Sequence, residues 1–218
     1  MYQKYIKRFL DFMIALIALP FVLLIILIIS PFIFFEDGFP IFYNANRIGQ
    51  HGKLFKMYKF RSMKKNAPDI RLADGSTYNG EDDPRVTKIG KFLRKTSIDE
   101  IPQLLNMLKG DMSLIGPRPD PPDWIEKYPE DVKVFLNVKP GITGYSQAYY
   151  RNSADGEEKM KNDVFYAKHC SFCLDIKIFF KTIAVVLKHE NTYKDTSSAS
   201  NQISDESKDD FEQIKYSK

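Results

Sequence analysis

Two adjacent carboxylates, Asp99 and Glu100, stand in the stretch Thr96-Ser97-Ile98-Asp99-Glu100-Ile101-Pro102-Gln103. Lys91, Arg94 and Lys95 precede them, and Gly116-Pro117-Arg118-Pro119 follows. Most isolated Asp-Glu pairs are solvated surface, and that remains the alternative here. The frame of cations on both sides sets this pair apart. Carboxylates beside guanidinium and ammonium groups suit work on phosphate, with the cations gripping the anion and a divalent ion between.

A second concentration of charge lies between Arg47 and Lys65. There Arg47, Lys53, Lys56, Lys59, Arg61, Lys64 and Lys65 face no acid in the sequence. Such a patch fits phosphate ligands or an anionic membrane surface, and equally a plain solvated face. The net charge of +4 over 218 residues is too small to point to nucleic acid. Cys170 and Cys173 form a Cys-x-x-Cys without the second pair a structural zinc site needs. Two cysteines make no disulfide framework, as expected of a cytoplasmic catalytic domain. No Walker motif, Gly-rich dinucleotide loop, usable Ser-His-Asp set or internal repeat occurs.

The elements that must position these residues begin with an apolar run. Phe12 to Phe35 carries no charge. As a straight helix it would reach roughly 36 Å at about 1.5 Å per residue, enough for a hydrocarbon core of about 30 Å. The run is too long for a signal peptide, and Phe34-Phe35-Glu36-Asp37 offers no small-residue cleavage site. Pro20 interrupts it near the middle and Ser30-Pro31 near the end. Basic residues flank both ends: Lys4, Lys7 and Arg8 before it, and the Arg47 to Lys65 cluster after it. Because cytoplasmic flanks are the basic ones, both ends ask for the same side. A helix that enters, breaks and returns meets that demand. Transmembrane helices also tolerate proline, so a full span stays open.

Ile41 to Asn44 and Leu54 to Phe60, separated by Gly49 and Gly52, predict a β-hairpin. Residues 66 to 85 are polar and predict a loop, its carboxylates solvated. From Thr87 the chain turns helical, with Ile89, Phe92 and Leu93 on one face. A second helix carries Ile101, Leu104, Leu105 and Leu108 and stops at Gly110. Asp99 and Glu100 then open that second helix, where the helix dipole favours anions. Trp124 to Val138 predicts an amphipathic helix, lying in the core or at a membrane interface. Further helices are expected over 157–168 and Leu174 to Lys188. Residues 195–218 are rich in Ser, Asp, Glu and Lys and predict a disordered or loosely helical tail.

Several stretches occur together in one order: Lys7-Arg8-Phe9-Leu10-Asp11, Tyr58-Lys59-Phe60-Arg61-Ser62-Met63, Leu93 to Gln103, Lys109-Gly110-Asp111-Met112-Ser113, Gly116-Pro117-Arg118-Pro119 and Lys139-Pro140-Gly141-Ile142-Thr143-Gly144. Over roughly residues 4 to 190 the chain resembles the bacterial sugar transferases, the small monotopic phosphoglycosyl transferases. The resemblance implies transfer of a sugar phosphate from a UDP-sugar to polyprenyl (undecaprenyl) phosphate with release of UMP, initiating a surface polysaccharide, exopolysaccharide, capsule or glycoconjugate. It implies Asp99 as a nucleophile that carries the phosphosugar, and Glu100 beside it, the two holding Mg2+. It places Lys59, Arg61, Arg94, Arg118 and Arg151 on the phosphates or the nucleotide. The family breaks its membrane helix at a mid-run Ser-Pro. Here position 19–20 is Leu-Pro, so Pro20 is the expected hinge, with Ser30 and Pro31 the alternative.

The implied architecture is α+β and mainly α. An N-terminal re-entrant segment (1–38) precedes a cytoplasmic catalytic domain (39–194) with a small hairpin and interfacial amphipathic helices, and a polar tail (195–218) follows. It implies the bacterial inner membrane with the domain on the cytoplasmic face, membrane lipid as a contact and no nucleic acid. A homodimer and contacts with downstream glycosyltransferases are compatible with it. Two other readings compete: a membrane-anchored assembly protein without turnover, and an Asp99-dependent phosphohydrolase. No residue decides the sugar.

Overall fold

A computed structural model describes residues 1–72, 78–80, 82–150, 156–188, 203 and 205–216. One long helix organises them. A π-helical turn, Tyr2–Ile6, runs into α1, Lys7–Asp37. Pro20 and Pro31 both lie inside α1. The expected helix-break-helix is therefore a continuous helix in the structure. Each proline removes one backbone donor. Unwinding would open several backbone groups at once, a larger cost where water is scarce. Ahead of Pro31, Ser30 Oγ donates to the Ile26 carbonyl at 2.5 Å.

Both ends of α1 are bonded to the rest of the fold. At the start, Lys7 pairs with Asp175 at 2.5 Å. Arg8 donates to the carbonyls of Met107 (2.7 Å) and Leu108 (3.2 Å). Asp11 accepts from the Leu114 amide at 3.0 Å. At the end, Glu36 accepts from the amides of Lys88 and Ile89. Asp37 pairs with Arg61 at 3.0 Å and accepts from the Lys65 amide. Between these ties Ile17, Phe21, Leu24 and Leu27 face outward. The last turns bury Ile29 and Ile33 against Ile41, Phe60 and Leu93.

The hairpin forms as its pattern predicts. β1 (Phe42–Ile48) pairs antiparallel with β2 (Leu54–Phe60), from Phe42 opposite Phe60 to Ile48 opposite Leu54. The turn uses positive φ at His51 and Gly52, a conformation glycine adopts freely. Helices α2 (Lys88–Thr96) and α3 (Gln103–Lys109) follow. Asn106, on α3, takes the place of a third strand beside β2. It accepts from the Tyr58 amide and donates to the Lys56 carbonyl, both at 2.8 Å.

β3 (Ser113–Ile115) and β4 (Gly141–Thr143) form a short parallel pair. A Cβ on Gly144 would stand 2.0 Å from the Gly116 carbonyl oxygen, so the two loops cross only because glycine is there. The helix expected over Trp124 to Val138 is instead two 3-10 turns, Pro122–Trp124 and Lys133–Asn137. Pro129 sits between them and has no amide to continue an α-helix. Tyr128 and Phe135 still bury against Ile48. Helices α4 (Tyr145–Tyr149), α5 (Gly156–His169) and α6 (Phe172–Lys188) complete this part. They pack Ala148, Tyr166 and Ile178 against Ile115 and Val138.

At the described end of the polar loop, just before α2, Asp83 is buried rather than solvated. Arg85 and Asp83 are both buried and bond twice, at 2.9 and 2.8 Å. Within the tail, Asp205–Tyr216 forms α7. Ile203 and Phe211 bury with Ile70, Leu72 and Tyr78.

Asp175 anchors three described segments at once. Beside Lys7 it accepts from Tyr2 Oη (2.5 Å) and Tyr166 Oη (2.7 Å). Asp175→Ala would leave the Lys7 ammonium buried without its anion. The expected loss is about 3–5 kcal/mol of unfolding free energy, measurable by chemical denaturation. A loss below about 1 kcal/mol would show that the N-terminal tie carries no load.

Candidate active site

The carboxylate pair sits at the end of α2, so the caps of that helix decide where it stands. Glu36 satisfies the first two α2 amides, and the Thr87 hydroxyl accepts from Gly90. These are donors a helix start leaves open. At the other end Ser97 takes a left-handed conformation (φ 59°, ψ 18°) and turns the chain. A single 3-10 turn, Ile98–Glu100, then presents both carboxylates before Pro102 leads into α3. The pair was expected to open the second helix. It stands one turn ahead of α3 instead, on a corner between two elements.

Asp99 is 3% exposed. Lys59, from β2, reaches it at 2.7 Å and Glu100 at 3.2 Å. Arg118 lies between Pro117 and Pro119 and forks onto Glu100 at 2.8 and 3.4 Å. Burial works to raise the Glu100 pKa, but Arg118 and Lys59 outweigh it and hold the carboxyl well below the usual carboxylate range. Glu100 in turn pushes the Arg118 pKa above its ordinary value. Two anions and two cations are thus locked together in a partly water-excluded corner. A phosphate arriving here finds the cations already placed, and each can exchange a carboxylate for a phosphate oxygen.

Of the residues the sequence nominated, the structure gathers Asp99, Glu100, Lys59 and Arg118. Arg61 is not among them. It is buried and spends its guanidinium on the Asp37 carboxylate and on the carbonyls of Asp37 and Gly38. Two residues on in a strand it would share the face of Lys59, but β2 ends at Phe60, and beyond that end Arg61 turns to the last residues of α1. Arg94 donates to Ser62 Oγ at 3.0 Å and to Asn79 Oδ1 at 3.4 Å. Arg151 lies outside the described residues. Pro20 is in α1, within its continuous helix.

One contributor escaped the sequence reading. Asn106 fixes β2 against α3 and so sets where Lys59 starts. The signal was a lone amide in the apolar run Leu104-Leu105-Asn106-Met107-Leu108. A polar side chain there needs partners once buried.

Among the described residues no three His, Cys, Asp or Glu side chains come together as a metal cluster. Asp99 and Glu100 form a two-carboxylate set of hard oxygen donors. That set fits magnesium, which takes one or two carboxylates and completes its shell with water and phosphate oxygens.

Residues 2–189 match the family model described as bacterial sugar transferase. Among curated relatives, the chain is 40% identical over 208 residues to the undecaprenyl-phosphate galactose phosphotransferase of Salmonella typhimurium, covering 88% of this chain and 42% of that protein. It is 47% identical over 189 residues to the galactosyl transferase CpsE of Streptococcus agalactiae serotype III, covering 83% and 42%. It is 43% identical over 185 residues to the uncharacterized sugar transferase EpsL of Bacillus subtilis, covering 85% and 89%. The chain thus spans about two fifths of the first two relatives and most of the third. With the match running from the start of α1 through α6, the chain belongs to the bacterial sugar transferase family.

Proposed function

We propose that this protein transfers a sugar phosphate from a UDP-sugar to undecaprenyl phosphate and releases UMP. The observation that carries the reading is the buried Asp99 carboxylate, set beside Lys59, Glu100 and Arg118 in a fold that holds both ends of an apolar helix. In the first step an Asp99 oxygen attacks the sugar-bearing phosphorus. The bond from that phosphorus to the bridging oxygen breaks, and UMP leaves with the electron pair. In the second step an oxygen of the lipid phosphate attacks the same phosphorus, and the Asp99 carboxylate leaves. Neither step needs a proton at the nucleophile.

A carboxylate approaches a diphosphate only if the charge there is neutralised. Lys59 and Arg118 do this by turning from the carboxylates to phosphate oxygens. Asp99 and Glu100 are the residues that would hold magnesium, whose chemistry is further charge neutralisation on the diphosphate. Arg151 is retained as a nucleotide contact on the strength of the resemblance alone.

The lipid side of the reaction has a physical setting. α1 ties its start to α3, β3 and α6, and its end to α2 and β2. A polar domain cannot lie on both faces of a bilayer, so under this reading both ends of α1 are on one side and the continuous helix sinks its outward apolar face into that leaflet. An apolar groove beside Pro31, lined by Leu23, Ile26, Leu27, Phe34, Phe39 and Ile41, opens on that helix. α6 exposes Ile176, Phe180, Ile183 and Leu187, the pattern of a helix lying in an interface. The domain then faces the cytoplasm of the inner membrane, where nucleotide sugars are.

The test is release of UMP from purified full-length protein with UDP-galactose, galactose being the sugar named for two of the relatives, and with other UDP-sugars. Donor alone should give about one equivalent of UMP and an adduct on the protein. Added undecaprenyl phosphate should give multiple turnover. Free sugar phosphate formed without lipid would establish a hydrolase instead. No UMP from any UDP-sugar would leave an assembly protein.

The ion pairs also set a pH response. With Arg118 and Lys59 in place, Glu100 titrates below the ordinary carboxylate range, so it imposes no acid limb at mildly acid pH. Arg118→Gln removes the larger of the two attractions, leaving only Lys59 to oppose burial. The acid limb of the rate should then move upward by about one to three pH units. A profile with an unmoved acid limb would take Glu100 out of the rate.

A further inference from the structure

The outer face of α2 has no role in the chemistry above, yet its composition is marked. Lys88, Lys91, Phe92 and Lys95 are all exposed. At 3.6 residues per turn they fall within an arc of about 100°. The opposite side carries Ile89 and Leu93, packed with Ile29, Ile33 and Phe60. The helix therefore shows a cationic face with a half-exposed aromatic ring at its edge, Phe92 at 50%, on the border with the apolar side.

The position of that face is fixed by the end of α1. Glu36 holds the Lys88 and Ile89 amides. The adjacent Asp37 holds the Lys65 amide and the Arg61 guanidinium. The two nearest acids are thereby committed to backbone and to Arg61. Lys64 and Lys65 are exposed next to the same point. The lysines of α2 and of this corner surround the place where α1 leaves its apolar surroundings.

We propose that this face of α2 docks on anionic phospholipid headgroups, with Phe92 inserted among them and the lysines on their phosphates. The inference rests on the reading that α1 lies in a membrane and goes beyond it, because it assigns a lipid charge preference to α2. Charge complementarity and continuity with the α1 exit argue for a lipid surface as the occupant. An aromatic ring beside lysines is the pattern of a segment that sits at headgroup level.

The experiment places a reporter at the ring. Phe92→Trp is made with the native Trp124 changed to Phe, and the full chain is reconstituted into nanodiscs. One set contains phosphatidylcholine only and the other adds about one third phosphatidylglycerol. Lipids brominated near the headgroup quench a tryptophan that inserts. The expected result is at least a twofold stronger quench in anionic discs. Salt at about 1 M should erase it, since screening there reaches about 3 Å. Lys88→Glu with Lys91→Glu should erase it too, while leaving the protein in the disc. Equal quenching in both lipids, or none in either, would overturn the proposal while leaving membrane attachment intact. Protein recovered free of lipid would overturn the membrane reading beneath it.

Discussion

Asp99→Asn is expected to lower multiple-turnover UMP release by roughly three to six orders of magnitude, the range seen when a covalent nucleophile is removed. The amide has the shape of the carboxylate but lacks its charge, so it cannot form the acyl phosphate. The fold should survive. The substituted amide can turn its oxygen to Lys59, and Lys59 keeps Glu100 as a second partner at 3.2 Å. Intact-protein mass spectrometry after incubation with donor alone should show the phosphosugar on the wild type and nothing on the variant. Circular dichroism should report the same folded helix content for both. Residual turnover above a few per cent, with contaminating enzyme excluded, would sink the nucleophile assignment. Persistence of the adduct on Asp99→Asn would place it on another side chain.

An equally large, all-or-none effect is expected for the sidedness of α1. A cysteine at Gln3, with Cys170 and Cys173 replaced, should resist a membrane-impermeant thiol reagent in intact cells and react fully once the membrane is opened. The reason is physical contact. Lys7, Arg8 and Asp11 are bonded to α6, α3 and β3, so the start of α1 cannot be parted from the domain by a bilayer. The same ties lie outside the apolar middle of the helix. Pro20→Leu and Pro31→Leu, each tested alone, should therefore leave the N-terminus protected. Labelling of the parent from outside would show a full span. Labelling only after a proline is replaced would return the topology to that proline.

Much of this arrangement could be read in the sequence, for reasons that differ by element. Periodicity and end signals are local, and they gave α2, α5, α6 and the hairpin. Asp99 and Glu100 stood out locally because cations frame them, whereas Lys59 and Arg118 were assigned to the site through the family resemblance. What the reading missed depends on contacts between distant segments. Arg61 looked like a phosphate ligand until Asp37 came within 3.0 Å. Lys7 and Arg8, before the apolar run, looked like topological charges, and they make structural bonds as well. The parallel pair β3–β4 joins two three-residue strands, too short to announce themselves. Pro129 was present in the sequence and should have argued against a helix over Trp124 to Val138.

The cap that Glu36 places on α2 has a geometric result. From that cap, nine residues of helix lead by about 14 Å to the turn that carries Asp99. A lipid-linked acceptor diffuses in two dimensions and cannot climb, whereas a soluble donor arrives from any direction. Under the proposed reaction, with α2 lying along the headgroups, the helix acts as a rigid spacer in the plane of the surface. Its length, and not the acceptor, sets how far from the end of α1 a planar search and a volume search meet.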